Sequence, residues 1–200
     1  MSVTNRIYER WLQLRHPALT ASFATPTHLT IAERVTLCQL ARTAPHQTLV
    51  EIGSYLGASA LALAAGLHGA GNTTGRIYCI DTWENNAMTE GSRDTFAEFT
   101  RRTAPFSSRI EPVRGWSTEV AVKLVPRLGS INLLFIDGDH SYEGVLADWR
   151  TYSPALAPGA VLVFHDIGWA EGVQRVVKEE VRPRVSREGR LPNLWWGQLA

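Results

Sequence analysis

Thr48-Leu49-Val50-Glu51-Ile52-Gly53-Ser54-Tyr55-Leu56-Gly57-Ala58-Ser59 is the stretch on which the reading of this chain turns. Thr48 to Ile52, apolar apart from Glu51, reads as a buried strand. Gly53 and Gly57 break it, and from about Ala58 an Ala/Leu-rich helix begins. An open α/β sheet takes its ligands at the carboxyl ends of its strands, and glycine there lets the backbone come close to a ligand. The pattern acidic-x-Gly-x-x-x-Gly is neither the dinucleotide fingerprint nor the P-loop. Both of those cradle phosphates. A glycine turn with a carboxylate just before it suits a ligand that carries a cationic amine and no phosphate.

Outward from this turn, strands and helices alternate. Upstream, Ile7 to Leu14 is a short helix with Ile7, Trp11 and Leu14 on one stripe. Pro17 and the Thr-Pro-Thr around Pro26 break the chain, so residues 1–29 read as a helical extension and 30–200 as the domain. Thr30-Ile31-Ala32-Glu33 is a capping box. It opens a helix with the face Ile31, Val35, Cys38 and Ala41, closed by Pro45.

Downstream, the helix after the glycine turn runs to about Leu67 and ends at Gly69 and Gly71. Ile77 to Ile80 is a second strand, ending at Asp81. A long connection from Trp83 to Ser92 leads to a helix near Asp94 to Arg102. Connections of that length usually serve function or motion, and Trp83, Met88, Phe96 and Phe99 mark a candidate lid. Ile110 to Val113 is a third strand, ending in Gly115-Trp116-Ser117, where Ser117 can cap a helix to about Leu124. Ile131 to Ile136 is a fourth, ending in Asp137-Gly138-Asp139-His140-Ser141, and the helix after it buries Tyr142, Val145, Leu146, Trp149 and Tyr152. Gly159 turns into a fifth strand, Ala160 to Phe164, ending in His165-Asp166. A helix from about Glu171 to Val181 follows, and edge-like segments at 184–187 and 194–199 form a hairpin around Gly189. The fold class is α/β: a three-layer sandwich around a mostly parallel seven-stranded sheet with a C-terminal antiparallel hairpin.

The 200 residues suffice for one substantial core. A net charge of +1 gives no handle for bulk binding to nucleic acid or an anionic membrane. No apolar run reaches the roughly 18–20 residues of a membrane span, and the N-terminal arginines precede no apolar signal core. Cys38 and Cys79 lie far apart inside core elements and read as reduced, buried thiols of a cytoplasmic protein. Trp195 and Trp196 can bury either in the sheet or in a homodimer contact.

The polar candidates stand just past the strands, on one rim. Asp81 can accept both hydroxyls of a ribose or make a local turn. Gly115-Trp116-Ser117 can meet an adenine, with Trp116 stacked on the ring, or serve as a helix cap with a core tryptophan. Asp137 and Asp166 can share a hard cation such as Mg²⁺. Taken singly, Asp137-Gly138 is a turn dipeptide, Asp139 a helix cap and His165 a satisfied buried histidine. All of them on one rim point to a functional site.

The glycine turn resembles that of the class I methyltransferases that use S-adenosylmethionine, with their Rossmann-like fold. The resemblance covers about Thr30 to Leu199. Phe135-Ile136-Asp137-Gly138-Asp139-His140-Ser141-Tyr142-Glu143-Gly144-Val145-Leu146-Ala147-Asp148, with Pro158-Gly159-Ala160-Val161-Leu162-Val163-Phe164-His165-Asp166, is similar to small bacterial sugar O-methyltransferases and cephalosporin-hydroxylase-like proteins. A wider similarity is to metal-dependent catechol O-methyltransferases. The resemblance implies that Gly53 and Gly57, with Ser54 and Ser59, hold the methionine end of the cofactor and that Glu51 positions its ammonium. It implies that Asp81, Trp116, Ser117 and Asp137 complete the cofactor site. It also implies that Asp137, His165 and Asp166 hold a divalent cation, Mg²⁺ in the first instance. Two departures stand out: His165 is a softer ligand than the carboxylate or amide of the catechol enzymes, and His140 stands where their catalytic lysine lies.

The expected activity is O-methylation of a small hydroxylated molecule, a sugar or glycoside before a phenol, with His140 and Asp137 as catalytic residues. Three rivals remain: a metal-free O- or N-methyltransferase of a natural product or catechol-like acceptor, a nicotinamide-dependent oxidoreductase, and a subunit that only senses the cofactor.

Overall fold

The computed structural model describes residues 3–44, 48–85 and 91–200, with side chains from residue 7 onward. Helix α1 (Val3–Arg15) and the short α2 (Thr20–Phe23) precede α3 (Ile31–Thr43). There follow β1 (Thr48–Ile52), α4 (Ala58–Gly69), β2 (Arg76–Asp81), α5 (Phe96–Thr103), β3 (Ile110–Arg114), α6 (Ser117–Leu128) and β4 (Ile131–Ile136). Then come α7 (Tyr142–Tyr152), β5 (Leu156–His165), α8 (Glu171–Val176), β6 (Val185–Arg190) and β7 (Leu194–Leu199). A π-helical turn, Val177–Val181, prolongs α8.

The seven strands form one sheet in the order β3-β2-β1-β4-β5-β7-β6. The pairs among β1 to β5 are parallel, and β7 inserts antiparallel between β5 and β6. The order reverses between β1 and β4, which sets the crevice of an open α/β sheet at their carboxyl ends. β4 is buried at every position, as a parallel strand covered on both faces must be. On one face, Leu49, Cys79, Leu133 and Phe135 pack with Leu37 of α3 and Leu63 of α4. On the other, Val50, Ile80, Leu134 and Phe164 pack with Leu124 of α6, Val145 and Trp149 of α7 and Val176 of α8. The three-layer α/β sandwich expected from the alternation is the architecture present.

The capping box forms as expected: Thr30 Oγ1 accepts from Glu33 N at 3.2 Å, and Glu33 Oε2 accepts from Thr30 N at 2.7 Å. Pro45 and Met88 lie outside the described residues. Several local expectations are corrected. The Ile7, Trp11 and Leu14 stripe of α1 faces solvent, and Leu12 on the opposite side is the buried residue. Trp83 and Phe99 belong to the core, their rings 4.8 Å apart, with Phe96 packed on Trp83 at 4.9 Å. These aromatic side chains therefore anchor the connection after β2 and do not form a free lid. β5 begins at Leu156 instead of Ala160, because Gly159 at φ +73° lets the strand pass an irregularity in its pairing with β4. Tyr142 and Leu146 are only partly buried, as is Cys38, while Cys79 is buried; both thiols are free. Trp195 is buried in the sheet, where its indole N–H donates to Glu188 Oε2 at 2.7 Å. Among the described residues no helix is long and apolar enough to cross a membrane.

Candidate functional site

Glu51, the last residue but one of β1, is wholly buried. Its Oε2 accepts from Ser54 Oγ at 2.7 Å, while Oε1 is buried without a hydrogen-bond partner. Burial pushes its pKa up to about 7, against the opposing pull of Ser54, Ser59 and Cys79. An unpartnered buried carboxylate oxygen costs free energy, and a cationic ligand group would relieve that cost. The residues around the turn therefore fit a ligand with a positively charged amine.

Gly53 has φ +86°, and a Cβ there would sit 2.0 Å from the carbonyl oxygen of Asp137. The β4 loop it touches is by itself enough to require glycine here. A valine at this position would force apart the turn after β1 and the turn after β4, so Gly53→Val is expected to destabilise the fold as a whole and not to lose cofactor affinity alone. Gly57, at φ +88°, starts α4 in the left-handed region. Tyr55, at φ 44°, is one of the few non-glycine residues with positive φ, a conformation that persists where the surroundings over-determine it.

What holds Tyr55 is Asp81. Its Oδ2 accepts from the amides of Ser54 at 2.9 Å and Tyr55 at 2.8 Å, and its Oδ1 accepts from Trp83 N at 2.7 Å. The Trp83 indole N–H in turn donates to Tyr55 O at 2.9 Å. The carboxylate after β2 thus clamps the glycine turn to the next loop. Any ribose hydroxyl meeting Asp81 shares oxygens that already accept these amides.

After β3, Trp116 occupies the N-cap position of α6 with its side chain 64% exposed, so it is not a core residue. Ser117 does not cap the helix; its hydroxyl is hydrogen-bonded to Asp148 Oδ1 of α7. Asp148 is buried, and burial pushes its pKa up to about 6 against the Ser117 bond. Tyr152 OH donates to Ser117 O at 2.7 Å. Asp139 is not the cap of α7: Ser141 caps it through Gly144 N, while Asp139 Oδ1 accepts from Ser141 N at 2.7 Å.

The ends of β4 and β5 bring the charged groups together. His165 Nδ1 lies 3.1 Å from Asp137 Oδ1 and 3.2 Å from Asp166 Oδ2, and its Nε2 lies 3.6 Å from Glu33 Oε2. His140 Nε2 is 2.8 Å from Asp166 Oδ2. Asp166 Oδ1 accepts from Trp169 Nε1 at 2.7 Å and Asn193 Nδ2 at 2.9 Å. Burial pulls the His165 pKa down, but its contacts with Asp137, Asp166 and Glu33 prevail and push it up to about 12. Asp166 is raised by burial and lowered more by His140 and His165, ending well below the usual carboxylate range. Burial raises Asp137 against His165, and the bond to Asp166 raises His140 against burial.

One ligand atom from each of Asp137, His165 and Asp166 falls within 4.8 Å of the others. The donor set fits a divalent cation: two carboxylates and one imidazole nitrogen converge, with a buried carboxylate, Glu33, behind the other nitrogen. A carboxylate on the far side of a ligating histidine is the usual outer-shell support of a metal site. An imidazole among the ligands suits Mn²⁺ or another transition ion at least as well as Mg²⁺.

Three residues of this cluster, and Asp148 beside Ser117, escaped sequence reasoning in this role. Glu33 was legible only as half of a capping box. Asp148 showed only as part of a motif. Asn193 is delivered by β7, whose Leu194 pairs with His165. Trp169 follows the same strand end as Asp166, a position that the strand-end rule could have flagged.

Comparison with known proteins gives the family and the fold. A family model described as a methyltransferase domain matches residues 50–167. A curated relative, "Uncharacterized protein y4gI" of Sinorhizobium fredii (strain NBRC 101917 / NGR234), is 25% identical over 158 residues. The match takes in 75% of this chain but only 17% of that protein, so the chain spans about a sixth of its relative's length. Among solved structures, the O-methyltransferase TomG from Streptomyces achromogenes, in complex with SAM, superposes with a TM-score of 0.73 at 18% identity. That similarity covers 100% of this chain and 99% of TomG. CalS11, a TDP-rhamnose 3'-O-methyltransferase of calicheamicin biosynthesis, gives a TM-score of 0.67 at 17% identity, covering 99% of this chain and 95% of CalS11.

Proposed function

The chain belongs to the methyltransferase-domain family, and we propose that it is a class I S-adenosylmethionine-dependent methyltransferase that methylates a hydroxyl of a small molecule, a sugar or glycoside. The observation that carries this reading is the His140–Asp166 pair beside the Asp137–His165 cluster, at the strand ends facing the glycine turn. S-adenosylmethionine supplies an electrophilic methyl on a sulfonium. Glu51, the turn from Gly53 to Ser59, and Asp81 hold the cofactor, while Trp116, Ser117 and Asp137 complete its site. CalS11, a sugar-nucleotide O-methyltransferase of the same fold, supports the acceptor class.

The chain's own groups then have defined tasks. Neutral His140 donates Nε2–H to Asp166 Oδ2, which leaves Nδ1 free to take the acceptor's proton. Holding nucleophile, methyl and leaving group in line can supply several kcal/mol, with about 7–11 kcal/mol as a ceiling. A divalent cation on Asp137, His165 and Asp166 would lower the pKa of the acceptor hydroxyl and orient it. One observation favours a second, metal-free reading: a protonated His165 already compensates the carboxylates around it.

Methyl transfer from labelled cofactor to a panel of glycosides, catechols and amines tests the proposal. Turnover of a glycoside is expected, lost on exhaustive chelation and restored by Mn²⁺ or Mg²⁺. Undiminished turnover after chelation would select the metal-free reading, and transfer confined to amines would overturn O-methylation. Asp81→Ala is expected to weaken cofactor binding about tenfold by calorimetry, since its oxygens are shared with backbone amides. Unchanged affinity would remove Asp81 from the site.

A further inference from the structure

Trp169 stands beside His140, and the proposed reaction gives it no task. It follows Asp166 after β5 and is 62% exposed. It is nevertheless fixed. Its indole N–H donates to Asp166 Oδ1 at 2.7 Å, and its amide donates to Asp166 O at 3.2 Å. The preceding Gly168 N donates to Asn193 Oδ1 at 3.1 Å, and the same Asn193 donates to Asp166 at 2.9 Å. The ring meets His140 edge to face, centroids 4.9 Å apart. An aromatic plane is thus pinned along one edge beside the base, while most of its surface stays open to solvent. Leaving so much aromatic surface in water forgoes its burial, and the hydrogen bonds that hold it prevent it from turning away.

We infer that Trp169 is the platform on which the acceptor ring stacks, and that the acceptor is a pyranoside which lays a C–H face on the indole and turns a hydroxyl toward His140. The inference rests on the O-methyltransferase reading above and names the acceptor class for that same site. The surroundings select a polyol over a flat phenol. His140, Asp166 and Asn193 stand around the ring, so hydrogen-bonding groups border a single apolar plane. A pyranose has that same division, an apolar face with a hydroxylated rim, and aromatic residues are amphipathic platforms suited to it. A flat phenol has one hydroxyl to offer this polar rim, where a polyol has several and so gains more hydrogen bonds.

The test pairs Trp169→Ala with Trp169→Phe and uses methyl glycosides with S-adenosylmethionine for kinetics, or with S-adenosylhomocysteine for binding without turnover. Calorimetry of cofactor binding and thermal melting check both variants for integrity. Trp169→Ala is expected to raise the glycoside KM about tenfold, with a smaller change in kcat and unchanged cofactor affinity. Trp169→Phe, which keeps a ring face but not the N–H, should keep KM within about threefold of wild type. Saturation-transfer NMR should show the glycoside's ring C–H protons contacting wild type and the Phe variant but not the Ala variant. Wild-type turnover of glycosides with an unchanged KM in Trp169→Ala would overturn the platform and leave the proposed function standing. Equal loss in both variants would also overturn it, because the bond to Asp166 would then be what matters. Failure of wild type to bind or methylate any glycoside, with catechols methylated instead and cofactor binding intact, would overturn the acceptor class and the inference with it.

Discussion

His140→Ala is expected to slow methyl transfer by roughly 10²–10⁴, the usual worth of a positioned general base, with the cofactor dissociation constant hardly changed. The geometry gives the reason. Asp166 Oδ2 sits 2.8 Å from His140 Nε2 and sets the tautomer in which Nδ1 is the basic atom. The His140 side chain is 45% exposed, so an acceptor hydroxyl can reach it. His140→Gln keeps hydrogen-bonding atoms but no basic nitrogen, and should be nearly as slow as alanine. Because the site is open to solvent, added imidazole should restore part of the rate in the Ala variant and none in the Gln variant, whose side chain fills the space. Glutamine activity close to wild type would mean that His140 only orients the acceptor, and Asp139 or Asp137 would then have to receive the proton.

The strand-end positions of Glu51, Asp81, Asp137, His165 and Asp166 were legible because a parallel strand buried on both faces is apolar until it leaves the sheet. The first polar residue therefore marks the rim. Gly53 was legible as a required glycine, but its cause was not: the obstacle is the Asp137 carbonyl, brought alongside by the β1–β4 pairing across 84 positions of sequence. Trp83 was misread because a long connection suggests motion, whereas its indole N–H finds Tyr55 O and its ring finds Phe96 and Phe99. Asn193 and Glu33 were beyond reach for a related reason. Each lies in an element with a sufficient local explanation, a hairpin turn and a helix cap, and only the topology carries it to His165.

Glu51→Gln is expected to move two quantities in opposite directions. The carboxyl is wholly buried with one oxygen unpartnered, and its pKa is about 7 in the folded chain against a reference value of 4.5. Between those values the folded state keeps a proton that the unfolded state has released. The stability of the cofactor-free protein should therefore fall as pH rises from about 4.5 to 7 and level off above that, a loss on the order of 3 kcal/mol from this one group. Glutamine has the shape of the protonated acid and does not ionise. The variant should melt higher than wild type at pH 8 and at nearly the same temperature at pH 5. Cofactor binding should show the reverse. If ionised Glu51 meets the ammonium of the cofactor, losing the charge should weaken binding roughly ten- to hundredfold at pH 8. The gap should narrow at pH 5.5, where wild type is itself largely protonated. The ratio of the two dissociation constants cancels the ligand's own titration, so calorimetry at both values of pH isolates Glu51. Higher stability with no loss of affinity would leave Glu51 a buried acid under the turn and would require another group to hold the ammonium.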